Sequence, residues 1–274
     1  MDLGKKQVLT VVKIVDFGVY LGSEKEKVLL PKKQVPSGIE LGDPIEVFLY
    51  KDSSDRLIAT THEPKLMLGQ IAVLDVLQVG KFGAFLDWGL EKDLFLPFKE
   101  QTMKVKPGDE CLVALYIDKS ERLCATMKVY EYLRKDSDYQ KDDHVEGRIY
   151  ESSDNFGLFV AVDDKYSALI PKREVPYGLH VGDKVRARVT EVKPDGKLTL
   201  SVREKAFIQM NKDAELVQKR MEENGGRLAL NDKSDAELIK RELGLSKNAF
   251  KRAVGYLYKA RKIEILEDGL KLKI

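Results

Sequence analysis

Three pairs of aromatic residues carry the chemistry that can be read from this 274-residue chain. Phe17 and Tyr20, Phe82 and Phe85, and Phe156 and Phe159 each stand three residues apart around a glycine, in the segments FGVYLG, FGAFLD and FGLFVA. A ring raised on a strand offers its π-face to any nucleobase, and stacking of this kind contributes roughly 1–3 kcal/mol per base whatever the base. Each pair is followed by a short apolar run ending in proline and then by cations: Lys32 and Lys33 after VLLP, Lys99 after LFLPF, Lys172 and Arg173 after ALIP. A Gly-Asp pair comes next (Gly42-Asp43, Gly108-Asp109, Gly182-Asp183), and then a hairpin closing in RLIAT, RLCAT or KLTLS, whose basic residue is Arg56, Arg122 or Lys197. Rings for bases and cations for phosphates are together what a single-stranded nucleic acid requires of its binder.

Bond-breaking chemistry has no comparable signature. The histidines His62, His144 and His180 fall in expected loops or at domain edges, and none has a Cys or a second His at metal-ligand spacing. No P-loop, GxSxG or H-E-x-x-H segment is present. Asp142-Asp143 and Asp163-Asp164 are acidic pairs of the kind a two-metal nuclease uses, but each adjoins a turn or a linker that it would simply solvate. Cys111 falls where the other copies have Ile45 and Val185, and Cys124 where they have Ile58 and Thr199. Both read as small inward-facing strand residues, not as ligands or nucleophiles. The expectation is a non-catalytic protein with no metal and no cofactor.

The elements that must position the rings are strands. The β-branched run Gln7–Val15 is followed by a bend at Asp16 and Gly18, an extended VYLG, a third strand stopped by Pro31, and a hairpin around Asp52–Asp55. Five short strands in about 60 residues suit a closed barrel of the OB type, since an open sheet would need its edges covered. In VRARV, Val185, Ala187 and Val189 alternate with Arg186 and Arg188, a period of two with one face buried. The glycine between the rings removes bulk and permits a bulge, so that residues three apart share one face. Trp88 stands beside the second pair, as a further stacker or, more readily, as packing on the barrel wall.

The three copies place domains at residues 1–63, 64–127 and 142–203, with 128–141 as a linker and 204–274 as a fourth domain. The aromatic motifs lie 65 residues apart between copies one and two and 74 between two and three, which suggests a tight tandem followed by a more independently hinged third copy. The net charge of +2 is unevenly spread: residues 204–274 hold 16 basic and 12 acidic residues, while each repeat is close to neutral. A polyanion bound by the repeats must therefore meet local patches and not a global field. Copy three is the best supplied, adding Arg186, Arg188 and Arg203 to Lys172 and Arg173 against the opposing Asp163 and Asp164.

From Glu204 the pattern turns helical. An amphipathic run is ended by Gly225-Gly226, a short strand RLAL follows, and Ser234-Asp235-Ala236-Glu237 reads as a capping box with the serine as N-cap. That helix ends at Leu243. Ser246 caps another, with an apolar stripe of Phe250, Ala253, Val254 and Leu257, before a terminal hairpin. Helix, strand, helix, tight turn, helix and hairpin is the order of a winged helix-turn-helix domain. From Gly244 to Ile263 there are six basic residues and no acidic one, among them Lys247, Lys251, Arg252 and Lys259. Such a stretch suits phosphate contact. Base-specific readout is not expected, because little besides Asn248 offers paired donor and acceptor groups there.

The F-G-x-[FY] strand, the Gly-Asp before a hairpin and the closing [RK]-L-x-x-[TS] resemble the S1 RNA-binding domain, an OB-fold variant, over roughly residues 1–203. The resemblance implies base stacking on the three aromatic pairs and phosphate steering by Arg56, Arg122 and Lys197. One departure is plain: many S1 domains carry a histidine where this chain has Pro31, Pro97 and Pro171, so the following Lys32-Lys33, Lys99 and Lys172-Arg173 must supply the charge. Three S1-like copies ahead of a winged helix resemble the bacterial conserved virulence factor B family. That resemblance implies a cytoplasmic, non-catalytic RNA-binding regulator of gene expression, in some bacteria of virulence factors.

Two readings stand side by side. In one, the chain binds single-stranded RNA, with copy three and the winged helix as a composite surface. In the other, it is an adaptor whose barrels hold protein partners of the transcription or translation machinery, with the winged helix docking there or on duplex DNA. No apolar run reaches the 18 residues of a membrane span and the N-terminus lacks an apolar signal core, so a cytoplasmic protein without a membrane partner is expected.

Overall fold

The β-branched runs form three five-stranded units. The computed structural model describes residues 1–202 and 206–273, and within these the first repeat holds β1 (Lys6–Val15), β2 (Gly18–Gly22), β3 (Lys27–Pro31), β4 (Pro44–Lys51) and β5 (Leu57–Thr60). The second holds β6 (Ile71–Val79), β7 (Gly83–Asp87), β8 (Leu94–Pro97), β9 (Glu110–Ile117) and β10 (Leu123–Thr126). The third holds β11 (His144–Ser153), β12 (Gly157–Val162), β13 (Tyr166–Pro171), β14 (Lys184–Val192) and β15 (Leu198–Ser201). Barrels one and three close in the order 1-2-3-5-4, with a parallel pairing of β3 with β5 and of β13 with β15. The middle sheet keeps the same order, β10-β9-β6-β7-β8, and its outer strands β8 and β10 lie side by side. Inward residues fill each barrel: Val185, Ala187 and Val189 are buried while Arg186 is exposed, as the alternation requires.

The glycine between each pair of rings does not carry the bulge. The register shifts instead in the first strand of each unit, between Val11 and Lys13, Val76 and Gln78, and Ile149 and Glu151. What the glycine supplies is room for a neighbouring backbone. A Cβ on Gly18, Gly83 or Gly157 would stand 2.2, 2.3 or 2.2 Å from the carbonyl oxygen of Leu30, Leu96 or Ile170. Gly157 also has φ 118°, where an L side chain is strained. Gly157→Ala is therefore expected to destabilise the third barrel by about 2 kcal/mol or more. Thermal unfolding followed by circular dichroism would show a lower midpoint, and an unchanged midpoint would contradict the close approach.

The Gly-Asp pairs pin the shifted strands. Val11, Val76 and Ile149 donate their N–H to the carbonyls of Asp43, Asp109 and Asp183, and accept from the N–H of Gly42, Gly108 and Gly182, at 2.8–2.9 Å throughout. The carboxylates of the same aspartates accept from the backbone N–H three residues earlier, of Glu40, Lys106 and His180, at 2.9, 2.9 and 2.8 Å, and so close the turn before each strand. This second signature of the repeat is architectural.

Residues 1–202 form one compact unit. Trp88 is 3% exposed and packs edge-on against Phe48 and Tyr50 of β4, with ring centroids 5.8 and 6.3 Å away, so it belongs to the seam between the first two barrels. Barrels two and three share a second apolar cluster of Leu112, Ala114, Val129, Leu133, Tyr150 and Ala161. The third barrel is thus packed on its neighbour and not hinged, because the stretch read as a connector buries Val129 and Leu133 around a single 3-10 turn, Tyr130–Tyr132. Arg148, with its side chain 7% exposed, adds ion pairs to Glu110 of the second barrel and Asp164 of the third, both at 3.2 Å.

The remaining described residues form a second unit with the expected order: α1 (Ala206–Glu223), β16 (Arg227–Leu228), α2 (Ala236–Leu243), α3 (Lys247–Lys259), β17 (Ile263–Leu266) and β18 (Gly269–Leu272). Glu204 and Lys205, read as the helix start, lie outside the described residues, as does Arg203. The stripe of α3 is buried against α1, α2 and the hairpin. The capping box is displaced by one residue: Asp235 is the N-cap of α2 and accepts from the Glu237 N–H at 2.8 Å. Ser234 instead accepts from the Asn231 N–H at 2.9 Å, since an Asn-led turn claims its hydroxyl first. Ser246 caps α3 as expected, accepting from the Ala249 N–H at 3.2 Å.

Candidate nucleic-acid interface

Each barrel raises its aromatic pair by the same device. The residue after the strand-ending proline donates its N–H to the carbonyl of the first ring: Lys32 to Phe17 at 2.9 Å, Phe98 to Phe82 at 3.1 Å, Lys172 to Phe156 at 2.9 Å. Proline is tolerated there because it sits at the strand end and its successor makes the bond. The first ring of each pair is held outward, with Phe17, Phe82 and Phe156 at 57, 72 and 62% exposure. The second ring, of Tyr20, Phe85 or Phe159, lies half-buried on the barrel surface. Ring centroids are 6.4 Å apart for Phe17 and Tyr20 and 6.4 Å for Phe156 and Phe159, while Phe82 and Phe85 line one cleft.

Two of the three platforms are larger than the sequence indicates. In the third barrel Tyr130 comes from the stretch before β11 and packs on Phe159, with centroids 5.9 Å apart. With Phe156, Lys193 and Lys197 it lines a cavity of about 240 Å³. In the second barrel Phe95 of β8 lies 5.3 Å from Phe85, where the other copies have Leu29 and Leu169. An aromatic at an otherwise aliphatic strand position was a readable signal for Phe95. Tyr130 had none, since its place depends on a fold-back of the chain.

The cations divide into two sets. Arg56 is held by Asp52 at 2.7 Å, Arg122 by Asp55 across the seam, Arg186 by Glu146 at 2.7 Å, Arg188 by Asp142 at 2.8 Å and Lys197 by Asp195 at 2.8 Å. The Asp195 carboxylate, and after it the Tyr130 phenol, push Lys197 well above the ordinary lysine range, so it stays charged. Arg186 lines a separate polar cleft with Arg148 and Asp163, and neither it nor Arg188 lines the cleft of Phe156 and Phe159. By contrast Lys32, Lys33, Lys99 and Lys172 are exposed and in no ion pair among the described residues; Arg173 is exposed beside Lys172. The same holds in the winged helix for Lys251, Arg252 and Lys259, and for Lys247, half-buried in the first turn of α3. An uncommitted ammonium can release its counterions to a phosphate, whereas one already paired has less to offer.

Cys111 and Cys124 are buried, and burial pushes both thiols up to about 11, which leaves them protonated and poor nucleophiles at neutral pH. All three histidines are exposed, and no cluster of three or more metal-ligating side chains occurs among the described residues. Nor is any helix among them long and apolar enough to cross a membrane.

Comparison with known proteins agrees with this layout. An S1 domain model matches residues 3–62 and 68–128, an S1 RNA binding domain model matches 138–203, and a CvfB-like winged helix domain model matches 215–272. A Bacillus subtilis protein described as uncharacterized protein YitL is 30% identical over 273 residues, 96% of this chain and 91% of its own. Conserved virulence factor B of Staphylococcus aureus strain N315 is 28% identical over 236 residues, 83% of this chain and 78% of its own. A crystal structure of a multidomain protein with nucleic acid binding domains from Streptococcus pneumoniae is 26% identical, with a TM-score of 0.52, over 99% of this chain and 98% of that one.

Proposed function

Because the chain belongs to the conserved virulence factor B family, we propose that it is a non-catalytic cytoplasmic protein that holds single-stranded RNA and regulates expression of the transcripts it binds. One observation carries this reading. In the third barrel an outward Phe156 stands beside Phe159 and the fold-back Tyr130, with Lys193 and Lys197 in the same cleft. Stacking faces thus share one cleft with Lys193, which is in no ion pair among the described residues, and with Lys197, which is paired with Asp195. A flat cleft without a donor-acceptor code favours unpaired bases of any identity over a duplex. The uncommitted Lys251, Arg252 and Lys259 of the winged helix suit added phosphate contact.

Fluorescence anisotropy of the full chain with a labelled mixed-sequence single-stranded RNA, beside a matched duplex DNA, tests this reading across a salt series. Preference for the single strand is expected, with affinity falling on the order of 0.7 log unit per phosphate contact for each tenfold rise in salt. Preference for the duplex, or indifference to salt, would overturn it. The adaptor reading retains one specific observation: Phe98, 49% exposed, stands where the other barrels have Lys32 and Lys172, and with Val79 it lines an apolar cleft on the second barrel.

A further inference from the structure

The second barrel departs from its sisters in the stretch after its third strand. Phe98 stands where they have Lys32 and Lys172, and Gln101-Thr102-Met103-Lys104 where they have Val-Pro-Ser-Gly and Val-Pro-Tyr-Gly. The sister segments turn on Gly38 and Gly178 at φ 77 and 94°, whereas no residue of 98–107 has a positive φ. The loop therefore takes another course, and beside it lies a groove of about 600 Å³ lined by Val79, Phe98, Met103 and Val105.

Part of this departure serves the fold. The Thr102 hydroxyl donates to the Tyr150 carbonyl of the third barrel at 2.6 Å, and a Cβ on Gly182 would stand 2.8 Å from the Met103 sulfur. Met103 and Val105 also pack on the core of the second barrel. Phe98 has no such duty. It is exposed, and it joins neither that core nor the apolar cluster shared with the third barrel. Val79 is exposed in the same groove. Exposed apolar side chains gathered round a hollow mark a contact surface.

Charge at the rim selects the partner. Lys99, Lys104 and Lys106 are exposed and in no ion pair among the described residues. The acids of the same stretch are committed. Glu100 accepts from the Thr126 hydroxyl at 2.9 Å and lies 3.6 Å from Lys128, and Asp109 accepts from the Lys106 N–H at 2.9 Å. The rim is thus positive. A nucleobase would meet one ring among aliphatic and thioether walls, which suit an alkyl or phenyl side chain better.

We propose that this groove holds a short acidic segment of a partner protein, with one large apolar residue against Phe98 and carboxylates at Lys104 and Lys106. This extends the adaptor observation and does not rest on RNA binding.

Fluorescence anisotropy of the full chain with the labelled peptide DEDLFEDE, beside DEDSSEDE and KRKLFKRK, tests the groove. Saturable binding of the first alone is expected. Phe98→Lys gives the second barrel the residue its sisters carry at an exposed site, so this variant should fold. It is expected to weaken the peptide about tenfold or more and to leave RNA affinity intact, while Lys104→Glu weakens the peptide about threefold. Phe156→Ala should leave the peptide unaffected. Anisotropy of a labelled RNA and sedimentation velocity are read on the same samples. Equal binding of DEDSSEDE, binding indifferent to Phe98→Lys, or no peptide bound at all overturns the groove and spares the RNA reading. An RNA affinity that falls as far as the peptide's in Phe98→Lys assigns the groove to RNA, and a dimer dispersed by that variant assigns it to a second copy; either overturns the proposal. The expected peptide pattern on a chain that binds no RNA supports the groove and overturns the RNA reading alone.

Discussion

Replacing Phe156 and Phe159 together with alanine is expected to lower affinity for single-stranded RNA by roughly 30-fold or more. Two lost stacking faces at roughly 1–3 kcal/mol each set that lower bound, at about 1.4 kcal/mol per tenfold. The two rings are not equivalent. Phe156 is 62% exposed and touches little but its neighbour, so Phe156→Ala should leave the barrel intact. Phe159 also packs on Tyr130 and Tyr150, with centroids 5.9 and 6.2 Å away, so its loss would loosen the fold-back as well. The single Phe156→Ala variant therefore isolates stacking, with an expected loss of about fivefold or more. Arg186→Gln is the control on the other face of the barrel. Its guanidinium is already paired with Glu146, and exposed pairs of this kind contribute little, so an effect below about threefold is expected. Anisotropy would decide: an Arg186→Gln loss as large as that of Phe156→Ala would place the RNA away from the rings.

The largest effect on stability is expected at Trp88. Its indole is 3% exposed, fills the seam against Phe48 and Tyr50, and donates from Nε1 to the Lys92 carbonyl at 2.6 Å. Trp88→Ala removes that volume from a wall shared by two barrels, at a cost of about 3–5 kcal/mol. The loss should fall on the coupling between barrels as well as on the second barrel itself, because Leu66, in the short link between them, belongs to the same cluster. A unit of three barrels need not unfold in one step, so the change is to be read as a fall in the first thermal transition by circular dichroism. An unchanged first transition would mean that the seam adds nothing to stability.

Much of this architecture follows from short-range pattern. The period-two alternation of VRARV, the prolines ending the third strands and the apolar stripe of Phe250, Ala253, Val254 and Leu257 each act within a few residues. They do not depend on distant parts of the chain, and threefold repetition made the prolines stand out from background. The displaced cap at Asp235 marks the limit of such reading: Ser234 and Asp235 are both good N-caps, and the choice turned on Asn231 taking the serine hydroxyl. The glycines were identified correctly as special and explained wrongly, because their constraint comes from the carbonyl of an adjacent strand.

The aromatic pairs, the strand order and the winged-helix grammar were written in the chain itself, since side-chain alternation, propensity and capping are local and repeat with the unit. Which cations remain free, that Tyr130 joins the third platform, that Trp88 belongs to a seam and that the third barrel is anchored to the second were settled by folding. Each depends on residues brought together from far apart in the chain, such as Arg122 with Asp55, Arg148 with Glu110 and Tyr130 with Phe159. An ion pair or a ring contact between barrels leaves no periodicity in either partner, so no spacing along the chain can announce it.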